Sequence, residues 1–477
     1  MYRYKKSQTK IIATIGPACD NKETLRKMIL EGVDVFRLNF SHGEHETHKA
    51  VIDRIKEVNE ELGTNTAILA DLQGPKLRIG EVENNGVWLE DGKEFIFTSE
   101  KCVGTAEKAY MSYELLPQDV MPGEIVLVDD GKIKLEVVST NRKDKVVTKV
   151  VNGGTLMSKK GVNLPNTKVS LPSLTKKDIK DANYVLEQDI DWIALSFVRS
   201  VTDIIDLKEL IKAKKKSTKV VAKIEKPEAL EEIDNIIDMT DAIMVARGDL
   251  GVEVPFDKVP VLQKDLVHKC IARATPVIIA TQMMESMITN FRPTRAEATD
   301  VANAVVDGAD TLMLSGETSV GKFPVEVIKS MQEVIIATEN SGYKMKHINT
   351  PDPSIPSYLP EAVAYNACEM ANLTKAKGIV VFTYVGDTAY MVASHRPKSK
   401  IFAFTPTKRS MSQLSLVWGI QSFYLRPEVS INDAIEHAVK ELKDNRLVIS
   451  GDVLVFVGSI PMRDRGKTNM MKISVVE

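Results

Sequence analysis

Eight short runs of β-branched and apolar residues, spaced along the first two thirds of the chain, limit its fold more than any single motif does. They read KIIATIG (10–16), DVFRLNF (34–40), TAILADL (66–72), DWIALSF (191–197), KVVAKIE (219–225), DAIMVARG (241–248), PVIIATQ (276–282) and TLMLSG (311–316). Between most of them lie amphipathic stretches such as NKETLRKMILEGV, EALEEIDNIIDM and VPVLQKDLVHKCIARA, whose apolar residues recur at helical spacing. Regular strand–helix alternation implies parallel α/β architecture, and eight units predict a closed (β/α)8 TIM barrel.

The alternation is interrupted once, after the third run. From 75 to 171 the pairs Asp91-Gly92, Asp130-Gly131 and Asn152-Gly153 punctuate short strand-like runs, a hairpin-rich pattern that predicts an inserted all-β lid domain. Gly74-Pro75 and Leu171-Pro172 restrict the backbone at its two edges and serve as expected hinges. The barrel is thus expected to comprise 1–74 and 172–342. A Pro-rich linker (343–360) follows, then a C-terminal α/β open-sheet domain over 361–477, with strands GIVVFT, IFAFTP, DVLVFVG and MKISVV.

Composition removes several classes. With 63 Lys+Arg against 65 Asp+Glu and 43% hydrophobic residues, the chain has no basic surplus for nucleic acid and reads as a soluble globular protein. No apolar run reaches membrane-spanning length. Cys19, Cys102, Cys270 and Cys368 are far apart and form no C-x-x-C, so neither a disulfide framework nor a zinc knuckle is signalled. A cytoplasmic location is expected.

A barrel of this kind assembles its site at the C-terminal ends of the strands, and those ends are unusually polar here. Strand two ends in Arg37, Asn39, Ser41 and His42; strand three in Asp71; strand four in Ser196. Strand five carries Lys223 and Glu225, Asp249 follows strand six, strand seven ends at Thr281, and strand eight at Ser315 and Glu317. Structural needs do not call for so many charges at one rim, because an unpaired buried charge costs several kcal/mol. Glu225 and Asp249 suit Mg²⁺, which takes one or two carboxylates plus substrate oxygens and water. The alternative is that both acids only pair with Lys223 and Arg247. Lys223 lies two residues before Glu225 and therefore on the same strand face, while Arg37 and Arg78 add fixed positive charge suited to a phosphorylated, carboxylate-bearing substrate.

Two further matches carry less. GETSVGKF (316–323) has the spacing of a nucleotide P-loop, but Phe323 stands where the Mg²⁺-binding hydroxyl belongs. The methionines of TQMMESM read as core packing.

Together the stretches TKIIATIGPA, VFRLNFSHG, SKKGVNLP, ALSFVRS, KIEKPEAL, MVARGDLGVE, ATQMMESM, RPTRAEATDVANAV and MLSGETSVGKFPVE resemble pyruvate kinase, in the order that family has them. With the sequence ending at Glu477, the extra phosphohistidine-type domain that some bacterial relatives append is not expected. The resemblance implies transfer of the phosphoryl group of phosphoenolpyruvate to ADP, giving ATP and pyruvate. It further implies that Glu225 and Asp249 hold Mg²⁺, for which Mn²⁺ is an expected substitute. By the same likeness the backbone N–H groups of Gly248 and Asp249, with Thr281, are expected to bind the substrate carboxylate, and Lys223 with Arg37 to neutralise the phosphoryl oxygens. Thr281, Ser315 and Glu317 become candidates for the proton relay to the enolate carbon, and Asn39, His42, Arg78, Asp130 and Lys160 for the ADP/ATP site. A homotetramer is also implied.

In many family members Asn39, Ser41, Asp71 and the carbonyl of residue 72 coordinate K⁺, with Thr, Lys and Glu where this chain has Leu72, Gln73 and Lys76. DLQGPK resembles the branch that works without K⁺. The ammonium of Lys76 can supply the missing charge, unless it points to solvent. In the C-terminal domain TYVGDT replaces the Ser/Thr-rich turn of sugar-bisphosphate-responsive enzymes. Asp387 is expected to repel phosphate there, while Arg463, Arg465 and Lys467 lie nearby. A phosphoenolpyruvate lyase or mutase, which needs no ADP, and a non-catalytic metabolite sensor on the same fold remain as competing readings.

Overall fold

The computed structural model describes residues 7–342, 350–354, 356–426, 430–461 and 467–477. All eight predicted runs form strands: Lys10–Thr14, Val35–Asn39, Ala67–Asp71, Trp192–Leu195, Lys219–Ile224, Ala242–Ala246, Val277–Ala280 and Thr311–Leu314. They pair in parallel around a closed barrel, the first strand bonding to both the second and the eighth. Nearly every residue in them is buried, because parallel strands face side chains in the lumen on one side and helices on the other.

The floor of the barrel has a fourfold pattern. Asp34, Asp191, Asp241 and Asp310 each stand immediately before an even-numbered strand. Each accepts the backbone N–H of a residue at the start of the preceding odd strand: Ile11 (3.0 Å), Ile68 (2.9 Å), Val220 (2.9 Å) and Val277 (3.0 Å). Three of the four also meet a cation: Lys10 on Asp34, Lys208 and Lys219 on Asp241, Arg396 on Asp310. Asp191 has no such ion pair within 4 Å among the described residues, and its burial pushes the carboxyl up to about 7.

Between the third barrel strand and the helix Lys176–Glu187 lies the all-β segment, with a six-stranded and a two-stranded sheet around a core of Phe95, Phe97, Val126, Leu135 and Val150. Of the three turn pairs read from sequence, Asp130-Gly131 closes a hairpin between paired strands, Ile125–Val128 and Ile133–Thr140. The other two pass from one sheet to the other, and they clasp each other: Gly153 N–H donates to Asp91 Oδ1 at 2.6 Å. The long hairpin of Ile133–Thr140 with Lys145–Asn152 turns instead at Asn141, whose side-chain oxygen accepts from the N–H groups of Lys143, Asp144 and Lys145.

The C-terminal sheet runs Ile420–Tyr424, Lys400–Thr405, Gly378–Phe382, Val453–Gly458, Met470–Val475, the last strand antiparallel. The strand Ile420–Tyr424 escapes the sequence reading because QSFY lacks a β-branched run. This domain closes the barrel from below. Leu416 is fully buried among the luminal residues Val35, Leu69, Trp192, Val221, Met244 and Ile278, and Thr311 donates to the Leu416 carbonyl at 2.6 Å.

Candidate active site

At the opposite, C-terminal rim, three strands bring their charges to one point. Arg37 on the second strand donates through Nε and Nη2 to Asp71 Oδ2, both at 2.7 Å, and through Nη1 to the Thr14 hydroxyl. Asp71 ends the third strand and is 1% exposed; its other oxygen lies 3.2 Å from Lys223 Nζ. Burial acts to raise the Asp71 carboxyl, but Lys223 and Arg37 outweigh it and hold the group below the usual carboxylate range.

Lys223, on the fifth strand, completes the cluster. Its ammonium donates to Ser196 Oγ at 2.6 Å and meets Glu225 Oε1 at 2.9 Å. Burial alone would lower its pKa; Asp71 and Glu225 reverse the sign, so Lys223 is firmly protonated. The two-residue spacing does put Lys223 and Glu225 on one face. Glu225 directs its second oxygen to the Phe197 N–H (2.7 Å), and its carboxyl is pushed up by burial and by the negative charge of Asp249.

The alternative pairing of the two acids is only half realised. Glu225 does meet Lys223, but Arg247 turns away from Asp249 to Asp300 (2.7 Å) and to the Thr281 carbonyl (2.8 Å). Asp249 stands in the first turn of the helix Arg247–Glu253. Glu225, buried and electrostatically disfavoured by Asp249, makes with it a pair of carboxylate donors whose chemistry suits a divalent cation. Among the described residues no group of three or more His, Cys, Asp or Glu could hold a metal ion, so such a cation would keep oxygens of substrate or water.

Thr281 has φ = 71°, in the left-handed region that β-branched residues rarely adopt. Its hydroxyl donates to the Ala280 carbonyl (2.6 Å) and accepts the Gly248 N–H (2.7 Å), which locks the turn after strand seven against the helix carrying Asp249. The Gly248 amide expected to face a substrate carboxylate is thus engaged by Thr281. Glu317 is 2% exposed and accepts the N–H groups of Met284 (3.1 Å) and Ser315 (2.7 Å), which makes it a brace between two rim loops.

On the other side of the rim, Asn39 Oδ1 accepts the Ser41 N–H, and Arg78 donates to the Lys159 carbonyl of the lid. Lys160 pairs with Asp129 rather than with its neighbour Asp130. Partial burial and the charges of Arg78, Lys76 and Arg37 lower the pKa of His42. Lys76 has an exposed side chain, yet it lines a cleft between barrel and lid together with Asp130, Asn163, Lys226, Asp249 and Glu253. Of the residues expected at a K⁺ site, Asp71 already engages Arg37 and Lys223, and the Leu72 carbonyl accepts the Ser196 hydroxyl at 2.8 Å.

Phe197, Asp300 and Thr14 support this site without having been singled out in the sequence; Ser196 was read there only as a polar strand end and Arg247 only as a partner for the acids. Asp387 lies close enough to Lys219 and Tyr390 for its charge to act on both. Arg463 and Arg465 lie outside the described residues.

The family model "Pyruvate kinase, barrel domain" matches residues 6–328, and "Pyruvate kinase, alpha/beta domain" matches 361–474. The chain belongs to the pyruvate kinase family. A pyruvate kinase of Staphylococcus haemolyticus is 40% identical over 471 residues, which cover 98% of this chain and 80% of that one; one from Staphylococcus aureus (strain MRSA252) is 40% identical over 470 residues, with the same coverage. The crystal structure of a pyruvate kinase from Cryptosporidium parvum superposes with a TM-score of 0.92 at 36% identity, covering 99% of this chain and 97% of that one. The chain is therefore a phosphotransferase catalysing the pyruvate kinase reaction, phosphoenolpyruvate and ADP to pyruvate and ATP. Among the described residues no helix is long and apolar enough to cross a membrane.

Proposed function

We propose that Lys223 is the residue on which phosphoryl transfer turns, with Arg37, Thr281, Glu225 and Asp249 around it. The observation that carries this reading is the placement of a buried, charged ammonium between Asp71, Glu225 and Ser196 at the strand ends. Held there before substrate arrives, Lys223 need not reorganise to meet the charge that grows on the transferring phosphoryl oxygens, which is how fixed electrostatics accelerate such reactions. Arg37 adds a second fixed charge. Glu225 and Asp249 hold Mg²⁺, with Mn²⁺ able to replace it; when bound, the ion neutralises anionic oxygens and templates their approach.

Thr281, Gly248 and Asp249 line the place for the substrate carboxylate, which on binding takes the Gly248 N–H from the Thr281 hydroxyl that engages it in the free enzyme. Ser315 and Glu317 stand behind it as parts of a proton route to the enolate carbon, Glu317 through the loops it braces. Asn39, His42, Arg78, Asp130 and Lys160 bind the nucleotide, and the lid excludes water from it. The domain limits proposed are 1–74 with 172–342 for the barrel, 75–171 for the lid, 343–360 for the linker and 361–477 for the C-terminal domain.

The reaction proceeds without K⁺, because protein donors already satisfy Asp71 and the Leu72 carbonyl while Lys76 lies on the cleft wall. The enzyme is a cytoplasmic homotetramer. An apolar edge strand supports that assembly: Met471, Ile473 and Val475 on Met470–Val475 are 38%, 40% and 58% exposed. Lys223→Met tests the central assignment. It is expected to lower pyruvate formation about 10³-fold or more while leaving the circular dichroism spectrum unchanged; near-normal turnover would overturn it.

A further inference from the structure

Glu253 ends the helix Arg247–Glu253 and is 5% exposed. One of its oxygens accepts two hydrogen bonds, from Lys226 Nζ at 2.6 Å and from Asn163 Nδ2 at 2.8 Å. The other oxygen is buried and has no hydrogen-bond partner. A half-satisfied buried carboxylate is costly, and a fold tolerates it where the group has a task beyond packing.

Its three connections explain what that task is. Lys226 directly follows Glu225, and Glu253 lies one helical turn after Asp249, on the same face of a single short helix. Asn163 belongs to the last strand of the lid, Val162–Asn163, which pairs with Ile125–Val128. All three residues line the cleft between lid and barrel. Lid and barrel are otherwise tied at the return crossing, where the Arg199 guanidinium donates to the carbonyls of Val169 and Leu171. That clamp sits at the expected hinge Leu171-Pro172, so it would hold the lid's root whichever way the lid swings. The Asn163–Glu253 bond lies beyond the hinge and is the contact that lid rotation must stretch or keep.

We infer that Glu253 is a positioning residue that transmits the position of the lid to Glu225 and Asp249, the carboxylates proposed above to hold the divalent cation. With Asn163 in place, Glu253 is held by the lid and holds Lys226, and the backbone on either side of the metal ligands is fixed. When the lid swings out, Glu253 loses one of its two donors, Lys226 is freed to shift, and both ligands lose their support together. Lid closure and tight cation binding are thereby linked, and linkage is reciprocal: the cation must also favour the closed lid.

This inference rests on Glu225 and Asp249 as metal ligands, and the test separates the two ideas. Mn²⁺ binding would be followed by electron paramagnetic resonance with phosphoenolpyruvate present and ADP absent, and lid closure by the rate of limited proteolysis within 75–171 with and without Mn²⁺. Asn163→Ala, a substitution on the lid, should weaken Mn²⁺ about 10-fold and abolish the protection of the lid by Mn²⁺. Glu253→Gln should do the same. Should it fold poorly with Lys226 left unpaired, Lys226→Met/Glu253→Gln replaces it. Glu225→Gln and Asp249→Asn should each lose Mn²⁺ binding altogether. If those two bind Mn²⁺ normally, the metal-site reading fails. If they lose it while Asn163→Ala and the folded Glu253 variant keep wild-type affinity and lid protection, Glu253 does not couple the lid to the site.

Discussion

A single carboxylate, Asp71, explains how three positive or polar side chains from different strands can crowd one rim without repelling each other. It bridges Arg37 and Lys223, with Ser196 also on its Oδ1, and together with Glu225 it balances the two positive charges. In the sequence it looked like an ion ligand, because a carboxylate at a strand end reads the same whether its partner is a metal or an arginine; only the third dimension tells which. Lys223, Glu225 and their shared face were legible from the two-residue strand period alone. The Thr281 backbone was not: at its φ of 71° it is held by hydrogen bonds with Arg247 and Gly248, which reach it from the helix after strand six. At this scale the test is Lys76. Its ammonium charge acts on His42, and a unit charge ~5 Å from an anion in a medium of effective dielectric ~20 is worth roughly 3 kcal/mol. Lys76→Glu is therefore expected to lower activity about 10-fold or more in a K⁺-free tetramethylammonium buffer and to regain part of it on adding K⁺. Lys76→Met should regain less. A wild type that is nearly inactive until K⁺ is added would show that Lys76 does not take the ion's place.

The elements of the barrel were readable because each strand is a short apolar run closed by a helix signal. The turns of the lid were less so. Asp91-Gly92 and Asn152-Gly153 carry hairpin chemistry but lead from one sheet to another, since local turn preference does not specify which strand comes next. The floor aspartates were also invisible, because four scattered Asp residues form no sequence repeat although they perform one task. Their inequality predicts a pH effect. Asp191 is buried with Arg409, Lys56 and Asp189 as its nearest charges, and its carboxyl is raised to about 7. The folded state therefore holds a proton that the unfolded chain releases near pH 4. The group contributes stability that is full below about pH 4 and is lost as pH rises through about 7. Asp191→Asn keeps an oxygen for the Ile68 N–H and cannot ionise. The melting temperature of the variant minus that of the wild type should thus grow between pH 5 and pH 8, as followed by scanning calorimetry. A constant difference over that range would mean that Asp191 is already ionised at pH 5.

At the scale of the whole molecule, the pattern of strands and helices predicted the architecture, whereas the assembly is left to surfaces. The sheet edge Met470–Val475 pairs only with Val453–Gly458 among the described residues, and its outer side is apolar. Light scattering at micromolar concentration should give four times the 52.9 kDa chain mass, and Ile473→Lys should reduce it. A monomeric wild type would contradict the tetramer. The position of Leu416 has a consequence of another kind. A barrel whose lowest luminal layer is completed by a side chain from a different domain is not a vessel with a cover but an arch with a borrowed keystone. The catalytic half cannot be excised and expected to keep its shape. Any rotation of the C-terminal domain must also pull on the barrel from within, through Leu416, before a single surface contact has changed.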